Sequence, residues 1–230
     1  MKRRSFTAAM VGGAVLAAVA FVSAQQGPGG GQGQGGQRPA GGQGGQQQQT
    51  PPTAGMNLEI VEGTATYTVS EQFVGIDFPS DAMGSSSKVA GTLGIAKDGS
   101  VVPGSKLTVD LSALKSDQDM RDNFAKTRTL ETDKFPMAEF VPTKVEGLPL
   151  MIPTNGQNGF KLTGNMTIHG VTKEVVFQGI ATYGRDNTVS GIAKTSFGFD
   201  TFGLAVPKIG RLASVDNKIN LSLQFKFKRS

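Results

Sequence analysis

Toward the C-terminus, apolar and polar residues alternate strictly. In KINLSLQFKFK (218–228), Ile219, Leu221, Leu223, Phe225 and Phe227 take every second place, separated by Asn220, Ser222, Gln224 and Lys226. A period of two puts all five apolar side chains on one face of a β-strand and the polar ones on the other. GFKLTGNMTIHG (159–170) has the same pattern, with Phe160, Leu162, Met166 and Ile168 on one face. Gly164 interrupts that face and predicts a bulge or a close approach of another group. Similar runs predict strands at 65–69, 72–78, 88–96, 105–114, 138–145, 172–183 and 189–199, nine candidates in all. KDGS (97–100) and GRDN (184–187) supply turn chemistry between them. Many strands on short connections predict an antiparallel barrel or sandwich.

One stretch breaks the period. In SDQDMRDNFAKTRTLETDKFP (116–136), Met120, Phe124, Thr127 and Leu130 fall near helical spacing. Asp117 or Ser116 is the expected cap, and Pro136 lies beyond the end. A lone helix among strands suits a lid on a barrel or a crossover that closes its core.

The N-terminal residues divide into two segments without a strand pattern. Lys2, Arg3 and Arg4 precede an uncharged, mostly apolar run at 8–22, and Val22-Ser23-Ala24 offers small residues before Gln25. This predicts a secretory signal peptide over 1–24, too short in its apolar part for a membrane span. Gly, Gln and Pro then fill 26 of the 31 positions from 25 to 55. Such a composition cannot offset the entropy cost of ordering, so 25–57 reads as a disordered linker and 58–230 as the folded domain. The expected location is periplasmic or secreted, with no stable membrane span once the leader is cleaved.

Charge removes one class of partner. The net charge of +5 owes three positive charges to the leader, and the rest balances 20 basic against 18 acidic residues. That balance gives no footprint for nucleic acid. The chain has no cysteine, so its fold must be held by an apolar core without disulfides, and it offers no thiolate ligand or nucleophile.

Candidate chemistry is sparse. His169 is the only histidine and sits at a tight connection before Gly170, which suits a turn residue that hydrogen-bonds the backbone. No paired spacing joins it to other metal ligands. Asp117, Asp119 and Asp122 cluster before the helix and Glu131 and Asp133 at its end. A two-carboxylate hydrolase remains open on those residues, although capping and solvation account for them. No catalytic residue, metal site or cofactor is expected. The 14 Phe against two Tyr and no Trp predict a smooth apolar interior.

GNMTIHGVTKEVVF (164–177) resembles the signature hairpin of the YceI-like family of exported lipid-binding proteins. Residues 120–145 resemble a second hallmark of that family, with Arg121-Asp122, then Lys134-Phe135-Pro136, then Phe140. Phe202-Gly203 resembles a third motif, and the likeness runs in order over 63–228. The resemblance implies an extended eight-stranded antiparallel lipocalin-like β-barrel, with one short helix in an insertion, around a channel for a polyisoprenoid or another lipid chain. On that basis Phe124, Met166, Ile168, Phe177, Phe197 and Phe199 are the candidate ligand-binding residues, and the expected role is a non-enzymatic carrier or sequestering protein. A ligand-free structural or adhesion module is the alternative.

The chain also departs from the family pattern. SEQFVGIDF (70–78) lacks the usual His-Ser pair, and Phe124 stands where a histidine usually follows Arg-Asp. Thr129-Leu130-Glu131 replaces Phe-Phe-Asp, and Phe199 and Thr201 replace an Arg and an Asp. Any head-group contact made by those polar residues in relatives is missing here.

Overall fold

A computed structural model describes residues 54–229. Ten strands run β1 (Ala54–Phe73), β2 (Ser80–Ser86), β3 (Val89–Ala96), β4 (Lys106–Asp110), β5 (Lys115–Ser116), β6 (Met137–Glu146), β7 (Gln157–Ile168), β8 (Val171–Tyr183), β9 (Thr188–Phe197) and β10 (Leu212–Arg229). Every pairing is antiparallel. From β3 the sheet passes through β4, β6, β7, β8 and β9 to β10, and β10 pairs with β1 to close a ring.

The ring has eight positions, because two of them are occupied by broken strands. β3 pairs with the first part of β1 (Ala54–Glu59) and β2 with its second part (Ala65–Glu71), so β2 and β3 are two halves of one strand bent at 87–88. The two-residue β5 extends the neighbouring position by pairing with β2. Closure leaves no long unpaired edge to template aggregation.

Alternation sets the inside. Phe160, Leu162, Met166 and Ile168 of β7 are all buried. At Gly164 the expected irregularity is present. The opposite strand bulges between Pro142 and Lys144, and a Cβ on Gly164 would lie 2.6 Å from Cζ of Phe140. The bulge bends β6 over the glycine, and no other residue fits under the Phe140 ring.

The two ends of the barrel are built differently. One carries the start of β1 and the β3–β4, β6–β7 and β8–β9 connections. The other carries the β1–β2 hairpin, the β7–β8 turn, the β9–β10 connection and the segment between β5 and β6. That segment holds α1 (Asp119–Phe124), which continues into a π-helical turn (Ala125–Thr129). A 3-10 turn, Phe199–Phe202, follows β9 and ends at Gly203, whose φ of +66° a glycine adopts at little cost.

Several elements differ from expectation. β1 starts at Ala54 and buries Met56, so the domain begins four residues before the predicted boundary of 58. The predicted strand at 72–78 is the end of β1 and a hairpin tip whose apolar side chains face outward. The true partner strand, SDAMGSS, has a turn-like composition and was hidden by it. β9 stops at Phe197, and Phe199 lies in the 3-10 turn. Neither Asp117 nor Ser116 caps α1. Gln118 holds the N-cap position without a side-chain bond, and Met120 is 77 % exposed instead of facing the core. The expected signal peptide, 1–24, and residues 25–53 of the expected linker lie outside the described residues.

Candidate ligand cavity

The half of the barrel beneath α1 is hollow. A cavity of about 640 Å³ runs from the middle of the barrel to the edge of the insertion, within the usual range for small-molecule sites of roughly 300–1,000 Å³. Its wall is almost entirely aliphatic and aromatic, and every one of the eight ring positions contributes to it.

All six residues singled out from the sequence lie on this wall. Met166 and Ile168 come from β7 and are buried. Phe177 on β8 meets Phe140 edge-to-face at 5.2 Å. Phe197 ends β9, half-buried, with its ring 4.7 Å from that of the fully buried Phe202. Phe199 is held by the 3-10 turn, where its N–H donates to Asn217 Oδ1 at 3.0 Å. Phe124 ends α1 and enters the cavity from the lid side, also half-buried.

Other lining residues were not foreseen. Tyr67 on β1 and Leu221 and Leu223 on β10 point inward yet stay only partly buried, because they border open space. Residues 207–212, before and into β10, complete the rim. Leu221 and Leu223 belong to the most regular alternation in the chain, but period alone does not separate a wall from a packed core.

One polar patch interrupts the wall. Arg121 Nη2 donates to Glu71 Oε1 at 3.1 Å, and Nη1 donates to Asp117. Both partners are acidic side chains, so the guanidinium meets the cavity already paired. Burial raises the Tyr67 hydroxyl pKa, Arg121 opposes the rise, and the nearby acids add to it. The phenol therefore stays neutral and adds only a hydroxyl to the patch.

Behind this patch, Asp122 is 4 % exposed. Its Oδ1 accepts the Ser116 N–H at 2.7 Å, and its Oδ2, without a hydrogen bond, faces the Lys115 ammonium at 3.3 Å. Burial alone would raise its pKa. The Ser116 bonds and Lys115 outweigh that and hold the carboxyl below its ordinary value. Asp122 thus ties the start of α1 to β5, the reverse of the expected capping.

Two of the remaining acids are also paired. Asp119 meets Lys115 at 3.2 Å, and Glu131 accepts from Lys134 at 2.9 Å. Asp133 stays exposed. The acidic cluster therefore has no pair of free carboxylates facing each other across the cavity, as a two-carboxylate hydrolase needs. Among the described residues no group of three or more His, Asp and Glu is placed to hold a metal.

His169 does occupy the tight β7–β8 turn. Ile168 pairs with Val171, and His169 and Gly170 between them have φ of +53° and +74°, the two positive values of a type I′ hairpin turn. Its hydrogen bond, however, goes to a side chain and not to the backbone. Nε2 lies 2.9 Å from Glu131 Oε2, and the ring meets Phe135 edge-on at 4.7 Å. A Cβ at position 170 would come within 2.9 Å of Phe135, so the glycine also makes room for that ring. The histidine is a clasp between the hairpin and the end of the insertion. Lys134 first, and His169 after it, hold the Glu131 carboxyl below its ordinary range.

This clasp brings together the two strongest sequence hallmarks, the His-Gly hairpin and the Lys-Phe-Pro segment. The YceI-like domain family matches residues 61–227. The chain belongs to the YceI-like family. UPF0312 proteins from two Pseudomonas putida strains, W619 and GB-1, are each 34% identical over 113 residues, covering 45% of this chain and 54% of theirs. The match thus spans about half the length of those curated relatives.

Among solved structures, a polyisoprenoid binding domain from Saccharophagus degradans aligns with a TM-score of 0.57 at 10% identity, covering 77% of this chain and 99% of that one. BcnA from Burkholderia cenocepacia aligns at 0.53 and 17% identity, covering 71% and 95%. At such identities these neighbours show the shared YceI-like barrel fold.

Proposed function

We propose that this protein binds a long apolar chain, a polyisoprenoid or another lipid, inside the hollow half of the barrel, and that it does so as a non-enzymatic carrier or sequestering protein in the cell envelope. The observation that carries this reading is the cavity. It is lined by apolar side chains from all eight ring positions; of its charged residues, Glu71 pairs with Arg121 under α1, while Lys208 and Arg211 stand at the rim. The Saccharophagus degradans neighbour, a polyisoprenoid binding domain, supports the same class of ligand. The leader-like residues 1–24 support export.

The energetics suit such a ligand. Each buried CH₂ contributes roughly 0.8 kcal/mol, so a five-carbon unit supplies about 3 kcal/mol. A few units outweigh the cost of immobilisation. With Arg121 already paired, affinity comes from apolar contact, and selection among chains is loose.

The test is organic extraction of the purified protein and mass spectrometry of what it held. An isoprenoid or other long-chain lipid is the expected result. Phe197→Asp and Leu221→Asp are expected to fold yet retain no lipid, because an unpaired charge beside an alkyl chain is strongly disfavoured. If no lipid is ever retained and both variants unfold, the interior is solid and the protein is a structural module.

A further inference from the structure

The cavity opens at the surface where α1 begins and where the β9–β10 connection ends. Met120, Lys208, Ile209 and Arg211 line the cavity and are also exposed to solvent. The β1–β2 hairpin lies against this rim, since the Val74 N–H donates to the Arg211 carbonyl at 3.1 Å and Phe73 pairs with Leu212. Its tip presents Val74, Ile76 and Phe78, which are 67%, 55% and 79% exposed. Nine large apolar side chains of the described residues are at least half exposed. Five of them, these three with Met83 and Met120, belong to the cavity end, while Val61, Leu150, Met151 and Ile180 are spread over the rest of the barrel. Soluble surfaces scatter such residues singly, so their collection at one opening marks a contact surface.

From this rim we infer that the protein docks mouth-first on an anionic phospholipid bilayer. The tips of Val74, Ile76 and Phe78 enter the interface, at the depth of roughly 5–10 Å typical of interfacial apolar groups. Lys208 and Arg211 flank Ile209, and neither makes an ion pair among the described residues, so both are free for lipid phosphates. Asp77 and Asp81 on the hairpin side bring opposing charge. The electrostatic attraction is therefore confined to the 208–211 loop, and apolar insertion carries most of the affinity.

The occupant follows from continuity. Met120, Lys208, Ile209 and Arg211 are both exposed and cavity wall, and the hairpin tip lies against them, so whatever covers this rim faces the opening. A bilayer supplies an apolar phase for the tips, phosphates for the two cations, and a direct route for an apolar chain between membrane and barrel. This extends the binding reading above, but its readout is independent of it.

Sedimentation of the purified protein with vesicles of phosphatidylcholine alone, or with about one third phosphatidylglycerol, tests the proposal. Binding is expected to both, and to be tighter to the mixed vesicles. Val74→Ser with Phe78→Ser should weaken it about tenfold or more without lowering the melting temperature. Lys208→Gln with Arg211→Gln should remove most of the preference for the anionic lipid, at about fivefold per charge.

The chain has no Trp, so Phe78→Trp is a clean reporter whose emission should shift to the blue on vesicles, while Met151→Trp at the opposite end should not respond. Absence of sedimentation, equal responses from both reporters, or burial of Phe78→Trp by self-association without vesicles would each overturn docking. Lipid extraction on the same samples separates the two ideas. A retained lipid with no vesicle binding ends the docking proposal alone. Vesicle binding by an empty barrel supports docking and counts against the cavity reading.

Discussion

One barrel wall encloses two interiors. At the end away from the insertion, Met56, Leu58, Ile60, Leu93, Ile95, Phe160, Phe225 and Phe227 are all buried, with Phe225 tilted against Phe227 at 5.3 Å and edge-on to Phe160 at 6.0 Å. Under the insertion, inward-facing Tyr67, Leu221, Leu223 and Phe197 stay partly exposed to a void. β10 takes part in both, since Phe225 and Phe227 fill the solid end and Leu221 and Leu223 only paper the hollow one. The solid end is what makes the hollow end possible. A chain without disulfides needs a close-packed core, and here that core occupies half the barrel and frees the other half from packing duty.

The comparison is broken most directly by cutting the same side chain at each end. Leu58, 2% exposed in the solid end, should cost about 2–5 kcal/mol when changed to Ala, through lost burial and the cavity left behind. That corresponds to a fall in melting temperature of very roughly 10 °C for a domain of this size. Leu221→Ala, with open space on one side already, should cost about 1 kcal/mol, since little surrounding structure is left unfilled. Thermal unfolding of the two apo variants checks this. Equal losses would mean that the two halves are packed alike.

A smaller effect is expected where the insertion is tied to the barrel. Asp122→Ala removes the acceptor of the Ser116 N–H and the charge facing Lys115, for a loss of about 1–3 kcal/mol. The pH dependence has a definite sign. The folded carboxyl lies below its ordinary value and the unfolded one returns to it, so the unfolded chain binds the proton more readily. Its stabilising share is full above the ordinary carboxylate range and disappears as pH falls through the folded value. Denaturant titrations in mildly acidic and strongly acidic buffer should show the wild type losing its advantage over Asp122→Ala at the acidic end. A gap unchanged by acid would rule out the ionised pair as its source.

Legibility in the sequence followed the same divide between repetition and local accident. Strands with clean alternation, β7, β8 and β10, were readable because each inward residue is apolar and each turn carries Gly, Asn or Asp. β2 was not, because its inward positions, Ala82, Gly84 and Ser86, are small, with Gly84 lying against the Tyr67 ring. The tip VGIDF imitated a strand because its apolar residues face outward for a reason unrelated to the barrel's interior. The wall residues named from sequence do line the cavity, but no periodicity marks where the solid core stops. That boundary depends on side chains meeting across the barrel from strands far apart in the chain. The paired acids were unreadable for the same reason, since Glu71 and Arg121 are 50 residues apart.

The smallest expected effect concerns His169, where two roles overlap and one substitution separates them. The position needs a residue content with φ near +53°, and its imidazole joins Glu131 across 38 residues. Asn tolerates the left-handed region better than other non-glycine residues, so His169→Asn preserves the type I′ turn while its short side chain gives up the reach to Glu131. The loss should then be that of one side-chain hydrogen bond, about 0.5–1.5 kcal/mol, with lipid retention unchanged because the clasp lies outside the cavity wall. Glu131→Gln measured alone and with His169→Asn tests whether the two act as one unit. If they do, the double variant is little worse than either single one. Full additivity would mean that the clasp contributes nothing. Loss of lipid with an unchanged melting temperature would place His169 among the binding residues and undo its assignment as a tether between the hairpin and the lid.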